Sequence, residues 1–245
     1  MKKIIYCLVK FFKNTDDQYA DSFLNNGEMY CQSLKIFKGI EDNQARGDRY
    51  EGVSHWFQPS DCIMKLSLSK EIQGTPKEIV IKDTDFAAPI AIQTTKYDNH
   101  KVYCMYAIAI DEFSFEYKTE EEKLSLQQEM NKIITSQIKI DNKIKSELGN
   151  IAIVITDVKS FIERVKNQSA KNITHGLVGY FDDENDTVEF NGMEAIYRKR
   201  KSYSYQKEYR FSFESLEELD FEKIYIGDIK DIAYKTTVDE LQNSI

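Results

Sequence analysis

The chain is poor in the residues that usually announce specialised chemistry: 245 residues hold three histidines, four cysteines, one tryptophan and three prolines. Cys7, Cys31, Cys62 and Cys104 form no Cys-x-x-Cys pair and no His/Cys cluster, which excludes a structural zinc site of the finger or ribbon kind. They read as reduced, mostly buried small hydrophobes. His55, His100 and His175 have no serine or cysteine partner in a recognisable nucleophile motif. No apolar run is long enough to cross a bilayer, so no membrane partner is expected. At the N-terminus, Lys10 and Lys13 interrupt the apolar run and no small-residue cleavage site follows, so the reading is a first strand in a cytoplasmic protein rather than a signal peptide. Positive charge is short too. Thirty-three basic residues against 41 acidic ones leave a formal charge of −8, which disfavours a broad grip on nucleic acid. The one compact basic cluster is Arg198 to Lys201, with Lys207 nearby.

What remains is an ordinary core-forming composition, 41% hydrophobic and 30% charged, over a length that can bury a substantial core. With no repeat and no low-complexity linker, residues 1–245 read as a single α+β domain of mixed or antiparallel sheets with flanking helices. The expected strands are 3–12, 28–34, 62–69, 78–82, 89–94, 101–110, 150–156, 174–181, 193–199, 207–213 and 223–227. A helix over 16–25 would turn Tyr19, Phe23 and Leu24 inward and stop at Asn26-Gly27. Thr119-Glu120-Glu121-Glu122 is a capping pattern, and apolar residues at near-helical spacing then predict a helical insertion near 115–148.

Two stretches carry the chemistry. In Lys199 to Phe213 a basic turn enters a strand that places Glu208 and Arg210 on one face and Tyr209, Phe211 and Phe213 on the other. Buried ionised groups are costly unless paired, so these two charges need partners. In Arg46 to Gly52, Asp48, Arg49 and Glu51 crowd between two glycines that allow a sharp turn, with Arg46 just before them. An internal ion-pair network joining the two stretches is one account of both.

The motifs Gly27-Glu28-Met29-Tyr30, Arg46-Gly47-Asp48 with Glu51-Gly52, Val178-Gly179-Tyr180 and Glu208-Tyr209-Arg210 resemble those of a group of uncharacterised bacterial and phage domains of unknown function. That group is in turn distantly similar to the mono-ADP-ribosyltransferase fold, in which two small sheets cradle NAD and a late-strand glutamate assists catalysis. The resemblance implies Glu208 as the catalytic carboxylate, with a basic or aromatic residue on an early strand to hold the nicotinamide or phosphates. The two charged stretches and their neighbours offer Arg46, Asp48, Glu51, Tyr30, Lys199, Tyr203 and Arg210 as candidate substrate-binding residues. NAD would be the cofactor, and phage–host conflict the setting. The chain has no Ser-Thr-Ser tripeptide of the kind that fold carries on a middle strand.

Three readings follow. An ADP-ribosyltransferase-like protein would use the carboxylate against an oxocarbenium-like centre, with aromatic stacking and a basic phosphate contact. A non-catalytic module would bind a small-molecule nucleotide or a protein partner on the Tyr203, Tyr205 and Tyr209 surface. A metal-dependent nuclease would gather Asp48, Glu51 and Glu208 around Mg²⁺ with Lys199 or Lys207 beside them, although no motif fixes such a metal site.

Overall fold

A computed structural model describes residues 3–40, 47–68, 77–111, 117–138, 140–168, 171–217 and 219–243, and it is an α+β fold built on antiparallel sheets. The organising strand is β7 (His100–Asp111). Its sequence, His-Lys-Val-Tyr-Cys-Met-Tyr-Ala-Ile-Ala-Ile-Asp, has no glycine or proline and is apolar on both faces, as a strand buried on two sides must be. We number the other strands in chain order: β1 (Lys3–Phe12), β2 (Glu28–Ser33), β3 (Val53–Phe57), β4 (Met64–Leu68), β5 (Lys77–Ile81), β6 (Ile90–Gln93), β8 (Ile151–Ile155), β9 (Thr174–Leu177) and β10 (Gly179–Phe181). They continue with β11 (Val188–Glu189), β12 (Arg198–Arg200), β13 (Glu208–Glu214), β14 (Phe221–Tyr225) and β15 (Ala233–Thr237).

The main sheet branches at β7. On one edge β13 pairs over its whole length, from Glu208↔Tyr106 to Glu214↔His100, and β9 extends the sheet beyond it. On the other edge two strands share β7 end to end. Strand β1 covers Asp111 down to Tyr106, leading on to β8 and β15, while β2 covers Val102 and Lys101, leading on to β14. Between them, Cys104 is paired by neither strand. The strands diverge here, and the sheet is split.

Helices fill both faces. Helix α1 (Asp17–Asn26) buries Ala20 and Phe23 and ends at Gly27, whose φ of 60° lets its N–H reach the Phe23 and Ser22 carbonyls. A Cβ at Gly27 would sit 2.5 Å from the Gly227 carbonyl, so the reversal from α1 into β2 requires glycine. Phe23 and Phe161 of α5 (Val158–Gln168) meet Tyr103, Met105, Tyr209, Phe211 and Phe213 in the first core. The opposite face of β7 carries a second core around Tyr106, Ile108 and Ile144, and a third around Val102, Leu34, Val53 and Trp56. Helix α2 (Leu34–Gly39) supplies Leu34, α4 (Asn142–Leu148) supplies Ile144, and α6 (Val238–Asn243) supplies Leu241. A small sheet β11-β3-β6, a hairpin β4-β5 and a parallel pair β10-β12 complete the described structure. Among the described residues no helix is long and apolar enough to cross a membrane.

Several local expectations give way to the observed geometry. In the insertion, α3 (Glu120–Ile138) falls where the apolar spacing puts a helix, but the chain toward Leu148 forms a separate α4, because Asp141 caps it by accepting from the Lys143 amide while Ile140 turns into the core. Residues 193–199 form a 3-10 turn (Gly192–Tyr197) before the short β12, rather than one strand. The expected 174–181 strand divides at Val178, whose N–H donates to the Glu208 carbonyl. Strands β3, β11 and β15 have no counterpart among the expected strands, and Tyr19 faces outward.

Candidate functional site

The two charged stretches meet. Strand β13 puts Glu208 and Arg210 on the face of β7 that carries Cys104 and Tyr106, as two-residue alternation requires, while Tyr209, Phe211 and Phe213 enter the first core. Arg210 is 1% exposed and bridges three acceptors. Its Nε donates to Glu208 Oε1 at 2.7 Å, and its Nη1 donates to Glu51 Oε1 at 2.5 Å and to the Ile196 carbonyl. Lys199 Nζ donates to the other Glu208 oxygen at 2.7 Å and to Gln206 Oε1 at 3.0 Å, and lies 3.8 Å from Glu51 Oε2. Arg200 Nη2 donates to Asp48 Oδ1 at 3.0 Å, and its guanidinium stacks 4.8 Å from the Tyr50 ring and 5.4 Å from that of Tyr203. Among the described residues, three acids thus face three bases in a network of zero formal charge.

Local sequence explains why this assembly forms. The parallel pairing of β10 with β12 turns Lys199 inward between the half-buried Arg198 and Arg200. A Cβ at Gly179 would collide with the Arg198 guanidinium, so Gly179 clears that crossing. Lys207 takes a left-handed φ of 38° to close the 3-10 turn Lys201–Gln206 and start β13. Asp48 stabilises its own turn by accepting from the Tyr50 amide at 3.0 Å.

Charge states follow from the contacts. Burial alone would raise the Glu208 pKa, but Arg210 and Lys199 outweigh it and hold the carboxyl well below the usual range. Burial would lower that of Lys199, yet Glu208 and Glu51 carry it above its ordinary value. Asp48 moves the other way: burial and the nearby Glu51 raise it against the pull of Arg200. Burial pushes the Cys104 thiol up to about 12, which disqualifies it as a nucleophile near neutrality.

Glu208 and Lys199, both buried, also line a cleft of about 670 Å³ bounded by residues of β1, β2 and β7. Its walls carry Tyr30, Phe221, Tyr103, Tyr106, Lys10 and Lys223. Tyr30, 46% exposed, stacks on Phe221 at 4.6 Å with an interplanar angle of 20°. Lys10 Nζ lies 4.1 Å from the Tyr103 ring centroid and donates to the Cys104 carbonyl at 2.8 Å.

Of the expected site residues, Glu208, Lys199 and Tyr30 line the cleft. Asp48, Glu51, Arg210 and Tyr203 are buried behind it, in or beside the network. Arg46 lies outside the described residues. Asp48, Glu51 and Glu208 each accept from a cation, and among the described residues no three His, Cys, Asp or Glu side chains are grouped to hold a metal ion. Sequence reasoning missed Lys10, Tyr103 and Phe221. The usable signal was Lys10, a cation inside an otherwise apolar strand. Comparison with known proteins finds no matching family model, curated protein or solved structure.

Proposed function

We propose that this chain handles a small nucleotide, with NAD the first candidate, in the cleft of the split sheet. The observation that carries the reading is the position of Glu208, a buried carboxylate in the lining of an aromatic-walled cleft large enough for a ligand of that class. Tyr30 and Phe221 offer a stacking face for a base or nicotinamide ring. Glu208, kept ionised, supplies a fixed negative charge that would oppose positive charge developing on a ribose carbon as nicotinamide departs, which is the chemistry of an ADP-ribosyltransferase-like protein.

One observation favours a second reading, a nucleotide-binding module without turnover. Both Glu208 oxygens already accept from cations, so the carboxylate is largely neutralised before any ligand arrives.

Calorimetry against NAD, ATP and divalent metal salts, with product analysis, separates the readings. The transferase reading expects NAD to bind and to be consumed, with Glu208→Gln abolishing consumption. The binding-module reading expects NAD or ATP to bind and be recovered intact. If no nucleotide binds at up to millimolar concentration, both are lost. Phe221→Ala should weaken nucleotide binding by roughly tenfold, the loss expected for one stacking partner. Phe221 is 44% exposed, so the melting temperature should barely move. Unchanged affinity in Phe221→Ala would remove the stacking wall from the site.

A further inference from the structure

We infer that the backbone amide of Cys104 is the docking point for an anionic oxygen of the ligand, a phosphoryl or carboxylate group, with Lys10 as the neighbouring positive charge. This rests on the nucleotide reading above and adds to it the part of the ligand that is recognised. The N–H and C=O of one strand residue point to the same edge, and successive residues alternate edges. Ala107 donates its N–H to the Lys207 carbonyl on the β13 side, so the odd-numbered residues of β7 face β13 and the even-numbered ones face β1 and β2. On that second edge Tyr106 is opposite Val9 and Val102 is opposite Gln32. Cys104, midway between them, has no strand opposite it among the described residues and lies in the wall of the cleft.

Lys10 settles which ligand chemistry fits. Its ammonium already satisfies the Cys104 carbonyl at 2.8 Å, so the notch offers donors, an amide N–H and an ammonium, rather than the donor–acceptor pair a neutral carboxamide would need. Of the acids that line the cleft, Glu28 accepts from Lys223 at 2.6 Å and from Ser22, Glu208 accepts from Arg210 and Lys199, and Asp16 accepts from the Thr15 hydroxyl at 3.2 Å. Charge-assisted bonds from an amide and an ammonium suit an oxyanion. Tyr103 beneath Lys10 holds the ammonium in place through its ring face.

Residue-resolved amide hydrogen exchange on the whole chain tests this. In the free protein the Cys104 amide should exchange at least tenfold faster than those of Tyr103 and Met105, which face β13 in the same strand. Saturating ADP-ribose should slow the Cys104 amide at least tenfold. Inorganic pyrophosphate tests the phosphoryl source alone, nicotinic acid the carboxylate source, and nicotinamide should leave the amide unprotected. Lys10→Met should weaken ADP-ribose roughly ten- to hundredfold while leaving nicotinamide affinity unchanged. If that variant fails to fold, exchange in the unaltered chain decides. Slow exchange of Cys104 in the free protein would mean the notch is closed, and protection by nicotinamide but not ADP-ribose would mean a neutral amide is read; either overturns the inference. ADP-ribose bound with Cys104 still fast would overturn it while leaving the nucleotide reading intact. If none of the probes binds, the nucleotide reading falls and takes the inference with it.

Discussion

Arg210→Met should lower the stability of the folded chain by about 3–5 kcal/mol, the cost of breaking a buried ion pair by removing one partner. For a chain of this size that is a drop of roughly 6–20 °C in melting temperature. The reason lies in what the substitution leaves behind. Arg210 satisfies one oxygen of Glu208, one oxygen of Glu51 and the Ile196 carbonyl, all in the interior. Methionine fills much of the volume but strands two carboxylates, of which Glu208 keeps Lys199 and Glu51 keeps only that lysine at 3.8 Å. Arg210→Lys should recover little of the loss, because a single ammonium cannot span three acceptors that a planar guanidinium reaches together. The triple change Arg210→Met, Glu208→Gln, Glu51→Gln should be less unstable than Arg210→Met alone, since it removes the stranded charges as well. Thermal melts of the four proteins decide the matter. A loss below about 1 kcal/mol in Arg210→Met would show that the network does not hold the 47–52 loop to β13, and the charged residues would need another explanation.

The meeting of these two stretches was legible because burial physics demanded it. Alternation along Glu208 to Phe213 put two charges on one face opposite three aromatics, and the early loop offered the complementary charges. The partners were legible only in part. Glu51, which ties the loop to Arg210, and Lys199, which shares Glu208, were both candidates, but which acid meets which base depends on the parallel pairing of β10 with β12, and no local pattern encodes a pairing between Gly179 and Arg198. The missed strand β3 has a similar cause. Val53-Ser54-His55-Trp56-Phe57 lacks clean two-residue alternation, and its register with β6 shifts between Val53 and His55, so propensity alone cannot separate it from loop. The split in the sheet was invisible for a deeper reason. Strands β1, β2 and β7 each read as strands, but that two of them share one edge of the third and part at Cys104 is a tertiary fact. Lys10 is its only trace in sequence, a cation in an apolar run that stands in for a missing strand at one carbonyl.

The acid limb of stability should be set largely by Glu208, and Glu208→Gln should flatten it. The folded-state pKa of Glu208 is depressed, so its ionised form is favoured by folding. That contribution is present in full above the unfolded value, about 4.3 for a glutamate, and is lost as pH falls below it towards the folded value. Stability of the unaltered chain should therefore decline as pH drops from about 5 to 3. Asp48 acts with the opposite sign: its pKa is raised by burial and by Glu51, so protonating it relieves a cost and partly offsets the decline. Asp48→Asn should then steepen the acid limb where Glu208→Gln levels it. The exposed acids Asp157, Asp228 and Asp231 and the partly exposed Asp182 are also held low by surface partners, but solvent screening makes such sites minor contributors. Urea midpoints at pH 3, 4, 5 and 7 give the test. The Glu208→Gln variant should be clearly weaker than the unaltered chain at pH 7, and the gap should narrow steadily towards pH 3 without closing there. Parallel curves for the two proteins would mean that Glu208 titrates alike folded and unfolded, which a carboxylate fixed between Arg210 and Lys199 cannot do. The same measurement bears on function, because a carboxylate held well below the usual range can present a constant negative charge in the cleft but cannot act there as a proton donor near neutrality.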